Sequence, residues 1–282
     1  MDRFRKFKEA IAFITVIIGF LSCSDKKKEV TEVSFNLPKK SECIGIINAD
    51  SLSDGTRYMF REFVGGHPVL VINNILTVLD DSLIEPIPLP FDHLISDIHW
   101  KDGLCFFSSD SIIYYGEDNG ESHPLVVADN QISSFVPTDD KVIFLLDSLI
   151  ASYSYGANEI ELLHNAHKHI QDMDVDQESV IFATDSALFI LNEQKTYRIY
   201  SANAEITSFA LYKEGIIFFS TTESIYCIDP QYWLVQIVNK PARSLTVIGD
   251  TMYIIFEDNN SVMLMNLYGF IKNDSNITDN EK

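Results

Sequence analysis

A turn that returns about every 37 residues is the feature that most constrains the fold. A short polar pair recurs at Asn73-Asn74, Asp110-Ser111, Asp147-Ser148, Asp185-Ser186, Glu223-Ser224 and Asn260-Ser261, at intervals of 37, 37, 38, 38 and 37 residues. Each pair sits between two short apolar runs, as in VIFATDSALFIL (180–191) and GIIFFSTTESIYCI (215–228). Runs of that length, rich in β-branched and aromatic residues, suit extended strands. The Asp, Asn and Ser between them suit a hairpin turn, because their side chains bond nearby backbone amides. A ring of such pairs on one face has a second reading as a carboxylate ring for cations or basic partners, but turn chemistry alone accounts for it.

The remainder of the unit repeats as well. A first strand opens at Ile95, Ile132, Ile170, Ile206 and Leu245, and a closing strand follows at 85–90, 123–128, 160–166, 196–201 and 233–238. Four antiparallel strands in about 37 residues describe a β-propeller blade. Helical solenoids have similar periods, but no segment here sustains a 3.6-residue apolar period. The expectation is an all-β, six-bladed propeller of four-stranded antiparallel blades over residues 31–270, with blades starting near 58, 95, 132, 170, 206 and 245. The last unit runs into a polar tail (271–282) before a fourth strand appears. The segment EVSFNLP (32–38) is expected to supply that strand and close the ring, removing sheet edges that invite aggregation. Residues 42–48 are expected nearby, as an inner strand of the first blade, with 49–57 as a loop.

The order VSFNLP…ECIGIIN, then units of the form I-x-D/S…I-x-F…D-S-I…Y, resembles the six-bladed β-propeller lipoproteins, related in architecture to TolB-like and NHL propellers. No WD, kelch or NHL residue set accompanies the pattern. The resemblance therefore implies a fold and a location rather than a chemistry.

The N-terminus carries an address. Arg3, Arg5, Lys6 and Lys8 precede an apolar run from Ala10 to Leu21, whose 12 residues are short for a bilayer span and typical of a signal peptide. The run ends in Phe20-Leu21-Ser22-Cys23, which resembles a bacterial lipobox, although Phe20 stands where Leu is usual. The resemblance implies removal of residues 1–22, lipidation of Cys23 and a charged tether over 23–30. Ser24, rather than Asp, after the cysteine implies sorting to the outer membrane, facing either the periplasm or the exterior. Export makes disulfides possible, yet Cys43, Cys105 and Cys227 are odd in number, and the last two fall on distant units; buried free thiols are expected.

Composition narrows the partners. With 21 basic and 41 acidic residues the formal charge is −20, and loss of the leader takes it to −22. Phosphate backbones would be repelled, so nucleic acid is excluded. The membrane, through the lipid anchor, and a protein or glycan are the expected partners of a monomeric domain.

Candidate chemistry lies in two places. Alternate residues of a strand share a face, so Asp97 and His99 point together, as do Asp172, Asp174 and Asp176; the equivalent positions in other units are Ser134 and Ser208. A channel lined by Asp97, His99, Asp172 and Asp174 suits Ca²⁺, which favours hard oxygen ligands, or the acid–base work of a metal-assisted hydrolase or lyase. Solvated channel carboxylates without a ligand are the plainer reading. His164, His167 and His169 are expected together in a loop, where clustered imidazoles suit Zn²⁺ or Cu²⁺; they lack the i, i+4 spacing of a helical zinc motif. No GxSxG elbow, phosphate-binding glycine loop or CxxC pair is present, so no catalytic residue is assigned. Trp100 and Trp233 read as blade packing. The preferred function is an exported binding or scaffolding lipoprotein, with the channel enzyme and carbohydrate capture by exposed aromatics as alternatives.

Overall fold

The computed structural model describes residues 43–48, 58–63, 67–72, 75–78, 86–88, 94–116, 121–193, 195–257 and 261–268. The leader with Cys23, the tether, the strand expected over 32–38, the loop 49–57 and the tail 271–282 lie outside the described residues. Among the described residues no helix is long and apolar enough to cross a membrane.

The described chain is all β. Five four-stranded antiparallel sheets are each built from four consecutive strands. They are β2–β5 (Tyr58–Phe63, His67–Ile72, Ile75–Val78, Pro86–Pro88) and β6–β9 (Asp97–Lys101, Leu104–Ser109, Ile112–Gly116, Ser122–Val127). There follow β10–β13 (Ser134–Pro137, Lys141–Leu146, Leu149–Ser154, Glu159–Asn165) and β14–β17 (Ile170–Asp176, Ser179–Thr184, Ala187–Asn192, Lys195–Ser201). The last of the five is β18–β21 (Ile206–Tyr212, Ile216–Thr221, Ile225–Ile228, Leu234–Val238). The chain is thus a propeller of four-stranded antiparallel blades, with one strand-to-strand unit per repeat of the sequence.

One further sheet is composite. Strands β22 (Ala242–Ile248), β23 (Thr251–Phe256) and β24 (Ser261–Asn266) are joined on the far side of β24 by β1 (Cys43–Asn48). The register pairs Cys43 with Met265 and Asn48 with Ser261. The place beside β24 is therefore taken by 43–48, expected instead inside the first blade; the segment 32–38, expected there, lies outside the described residues. The composite unit also begins earlier than expected, at Ala242 rather than Leu245.

The inner strands touch in sequence: β2 with β6, β6 with β10, β10 with β14, β14 with β18, β18 with β22, and β22 with β2. Apolar cores lie between neighbouring sheets. Phe106, Ile113 and Val126 of one blade pack against Ile132, Phe135, Val142 and Phe144 of the next. Equivalent clusters join that blade to the next through Ile143, Leu145, Met173 and Phe182, and onward through Ala183, Leu188, Phe209 and Phe219. Strands β7, β11, β15 and β19, each second in its blade, are buried along most of their length because they have a sheet face on both sides.

The recurring turns explain the repeat. Asp110 and Asp147 adopt left-handed backbone angles, φ 53° and 55°, which Asp tolerates better than most residues. Their carbonyls, with that of Asp185, accept the amides that open the next blade: Ile132 to Asp110 at 2.8 Å, Ile170 to Asp147 at 3.0 Å and Ile206 to Asp185 at 2.8 Å. The following serine carbonyls accept the amides of Ala128, Ala166 and Ala202 at 2.9, 3.0 and 2.9 Å. Each turn therefore staples two loop amides that would otherwise be left without partners.

Candidate functional site

The inner strands of the blades bring residues to a common cavity. Strand registers place Asp97, Ser134, Asp172, Ser208 and Ser244 at one level. Two residues on, the same strands present His99, Val136, Asp174, Ala210 and Thr246, and β2 presents Arg61. The cavity has a volume of about 200 Å³, and Arg61, His99, Asp172 and Asp174 all line it.

Asp97 is the anchor of this region and only 2% exposed. Its Oδ1 accepts from Arg61 Nη2 at 2.6 Å and from the amide of Ile98 at 2.8 Å. Its Oδ2 accepts from the Phe135 amide at 3.3 Å and from Ser134 Oγ at 3.4 Å. His99 Nε2 lies 3.4 Å from the same oxygen, without hydrogen-bond geometry, and its ring meets Phe135 edge-on at 4.9 Å. Burial by itself would raise the Asp97 carboxyl. Arg61 and then His99 more than offset that, holding it far below the ordinary carboxylate value.

Asp172 and Asp174 lie on β14, and the Arg61 charge acts on both. Burial pushes the Asp172 carboxyl up to about 7; Arg61 opposes the shift, while Asp174 and Asp97 add to it. Asp174 is also raised by burial, against the pull of the Val175 amide, His99 and Arg61. Each carboxylate accepts its following backbone amide, Met173 at 2.9 Å and Val175 at 2.7 Å. The Arg61 guanidinium, bonded also to the Phe60 carbonyl at 2.9 Å, is made still harder to deprotonate, since its pairing with Asp97 outweighs its burial.

Arg61 is the residue that sequence reasoning missed. The strand YMFREF has charged neighbours and no complete upstream unit to set its phase, but subtracting one repeat from His99 lands beside it. Its consequence is large: the cavity is of mixed sign rather than a purely acidic cation site.

The three histidines are not gathered. His164 lies in strand β13 rather than in a loop; its Nδ1 is 3.1 Å from Thr196 Oγ1 and its ring packs on Phe182 at 5.3 Å. Burial, and then His167, lowers its pKa. His167 takes a left-handed φ of 55°, its amide bonded to Asn165 Oδ1 at 2.9 Å. His169 Nδ1 meets Asp147 Oδ1 at 2.7 Å. The extended strand carries His164 onto the next blade, separating it from the loop pair. Among the described residues no group of three or more His, Cys, Asp or Glu is placed to hold a metal ion.

A second feature lies at the β20–β21 connection. Tyr232, Trp233 and Leu234 are 67%, 46% and 41% exposed. Trp233 is thus a surface residue and not blade packing, whereas Trp100 packs against the core shared by the first two blades. The loop is braced from beneath by Asp229, whose Oδ1 accepts the amides of Gln231 at 2.9 Å and Trp233 at 2.8 Å. The Asp229 carbonyl accepts the Tyr232 amide at 2.9 Å, and the Asp229 amide donates to the Trp233 carbonyl at 3.2 Å. Tyr232 is held at φ 65°. Cys105 and Cys227 are buried, and neither is in a disulfide among the described residues.

Neither a protein-family model nor a curated protein matches the sequence. Solved structures do match in fold. The extracellular domain of BT4673 from B. thetaiotaomicron is 13% identical with a TM-score of 0.56; the match covers 76% of this chain and 33% of that one, so this chain spans about a third of its length. A chain of a nidogen/laminin complex is 11% identical with a TM-score of 0.58, covering 77% of this chain and 91% of that one. The WD40 β-propeller domain of Doa1 is 11% identical with a TM-score of 0.56, covering 70% and 74%. At such identities the likeness is one of fold: an all-β propeller of four-stranded antiparallel blades.

Proposed function

We propose that this chain is an exported lipoprotein, tethered to the outer membrane through Cys23, whose propeller is a binding platform for a protein or glycan partner. In this reading the composite sheet is a sixth blade, and β1 clasps the two ends of the ring. The contact of β22 with β2 and the β1–β24 pairing support that count. The lipobox-like Phe20-Leu21-Ser22-Cys23 supports the address.

The observation that carries the binding role is the braced loop Tyr232-Trp233-Leu234. Exposed aromatic side chains are costly to leave in water, and Tyr and Trp dominate the energetics of protein interfaces and stack well on other flat or apolar faces. Here four hydrogen bonds around Asp229 order the loop in advance, so little entropy remains to be lost on binding. The test is the pair Tyr232→Ala and Trp233→Ala, measured against glycan arrays and by in-cell crosslinking to envelope proteins. A partner captured by the native chain should lose at least about tenfold in affinity in the double variant; unchanged capture refutes the role. Separately, Cys23→Ala should shift the protein from the membrane to the soluble envelope fraction, and retention in the membrane refutes the anchor.

A second reading, a hydrolase or lyase acting at the channel, draws on one feature: Asp172, raised by burial to about 7, and His99 line the same cavity. In that case Asp172→Asn would abolish a hydrolytic activity while leaving capture by the loop intact.

A further inference from the structure

We infer that the channel cavity binds a small zwitterion of the amino-acid class, its carboxylate on the Arg61 and His99 side and its ammonium on the Asp172 and Asp174 side. The site is separate from the aromatic loop, so the two stand or fall independently.

The arrangement of charge carries the inference. Arg61 on β2 and His99 on β6 come from adjoining inner strands. Asp172 and Asp174 come from β14, three inner strands away from β2 whichever way the succession of contacts is followed. Positive and negative groups therefore line different walls of one space. Arg61 still has capacity: a guanidinium has five N–H donors, and the bonds to Asp97 and Phe60 engage two of its nitrogens. Its Nε, and His99 Nε2, are buried without a hydrogen-bond partner. Buried polar atoms left unpaired are costly, so both residues favour an acceptor on this wall of the cavity. Opposite, Asp172 and Asp174 each give one oxygen to a backbone amide, leaving acceptor capacity for an ammonium. Ser134, Ser208, Ser244 and Thr246 complete the wall with neutral hydroxyls.

Size sets the class of ligand. At roughly 30 Å³ per water in the liquid, a cavity of about 200 Å³ holds six or seven waters. That is room for a ligand of about six to nine non-hydrogen atoms, and it is below the several hundred Å³ of drug-sized sites. A bare divalent cation fits less well, because Arg61 places a fixed positive charge in the same space. A simple anion leaves two buried carboxyls uncompensated.

Binding has a proton signature. Burial raises the Asp172 carboxyl to about 7, with Arg61 of β2, Asp97 of β6 and Asp174 of its own strand acting on it and His99 of β6 lining the same cavity. An ammonium favours the ionised carboxylate, so binding expels a proton, and affinity weakens as the pH falls below about 7.

The experiment is calorimetric titration of the full-length protein with glycine, L-alanine and L-serine. Acetate, methylammonium and CaCl₂ serve as one-sided controls. The expected result is saturable one-to-one binding of at least one amino acid, at least tenfold tighter than acetate or methylammonium, with proton release detected by comparing two buffers. Asp174→Asn should weaken it at least tenfold while the melting temperature stays within a few degrees; if that variant does not fold, Asp172→Asn takes its place, with loss of the proton release as the added readout. Absence of binding by all three amino acids overturns the inference. So does acetate binding as tightly as alanine, which would mark an anion site, or Ca²⁺ binding that alanine does not displace, which would mark a cation site.

Discussion

Asp97 and Asp172 line or border one cavity, yet burial acts on them with opposite outcomes. Asp97 has Arg61 at 2.6 Å and stays ionised, whereas Asp172 has only a more distant share of the same cation and is raised to about 7. The linkage follows in sign. Asp97, depressed in the fold, contributes stability that is present above its unfolded value near 4 and is lost as the pH falls further. Asp172, raised in the fold, contributes stability that is complete below pH 4 and is lost as the pH climbs through about 7. Thermal melts from pH 5 to pH 8 should therefore show a decline that Asp172→Asn flattens; an equal decline in the variant would remove Asp172 as its source. Asp97→Ala leaves Arg61 unpaired in a largely buried setting and should cost roughly 3–5 kcal/mol in chemical denaturation. The thiol of Cys227 is pushed up to about 12 by burial and then by Asp229. It should resist alkylation in the native state and react only on unfolding, as mass spectrometry would record.

At the scale of the element, the channel residues also hold neighbouring blades together. The carboxylate of Asp97 accepts the amide of Phe135 on the next inner strand, and Ser208 Oγ accepts the amide of Leu245 in the same relation, at 3.1 Å. Ser220 Oγ, fully buried, accepts the Ala242 amide at 2.8 Å where the composite sheet begins. Ser220→Ala strands that amide and should lower stability by about 1–3 kcal/mol, read from the shift in urea midpoint. Inner-strand side chains short enough to reach the neighbouring backbone thus have structural work independent of any ligand. Alternation along each strand made Asp97, His99, Asp172 and Asp174 identifiable as one face before any coordinates. Their partner Arg61 was not, because its phase depends on which strand of the first unit faces inward. For the histidines, closeness in sequence is a weaker guide than strand phase, because the extended strand carries His164 onto the next blade.

At the scale of the whole molecule, stability resides between blades. Each sheet offers one apolar face to the blade before it and one to the blade after it. Phe144, fully buried among Phe106, Ile113, Phe135 and Ala151, joins two blades. Its replacement by Ala should cost about 3–5 kcal/mol. Because the neighbouring blades share that core, unfolding should remain a single cooperative transition, with circular dichroism and tryptophan fluorescence coinciding. Among the described residues most acidic side chains are exposed and keep the surface hydrated, while the exposed Tyr232 and Trp233 stand out against them.

The sequence by itself determined the period, the four-strand unit and the alternating inward face, because turn chemistry and strand periodicity are local and every unit restates them. The tertiary structure alone decided which strand lies against β24, where Arg61 sits, and that Trp233 faces solvent. It also decided that two aspartates of similar sequence setting differ so widely in acidity. Those outcomes depend on which residues from distant units meet. The distance to a charge and the depth of burial then set the energy, and neither quantity is written in any one repeat.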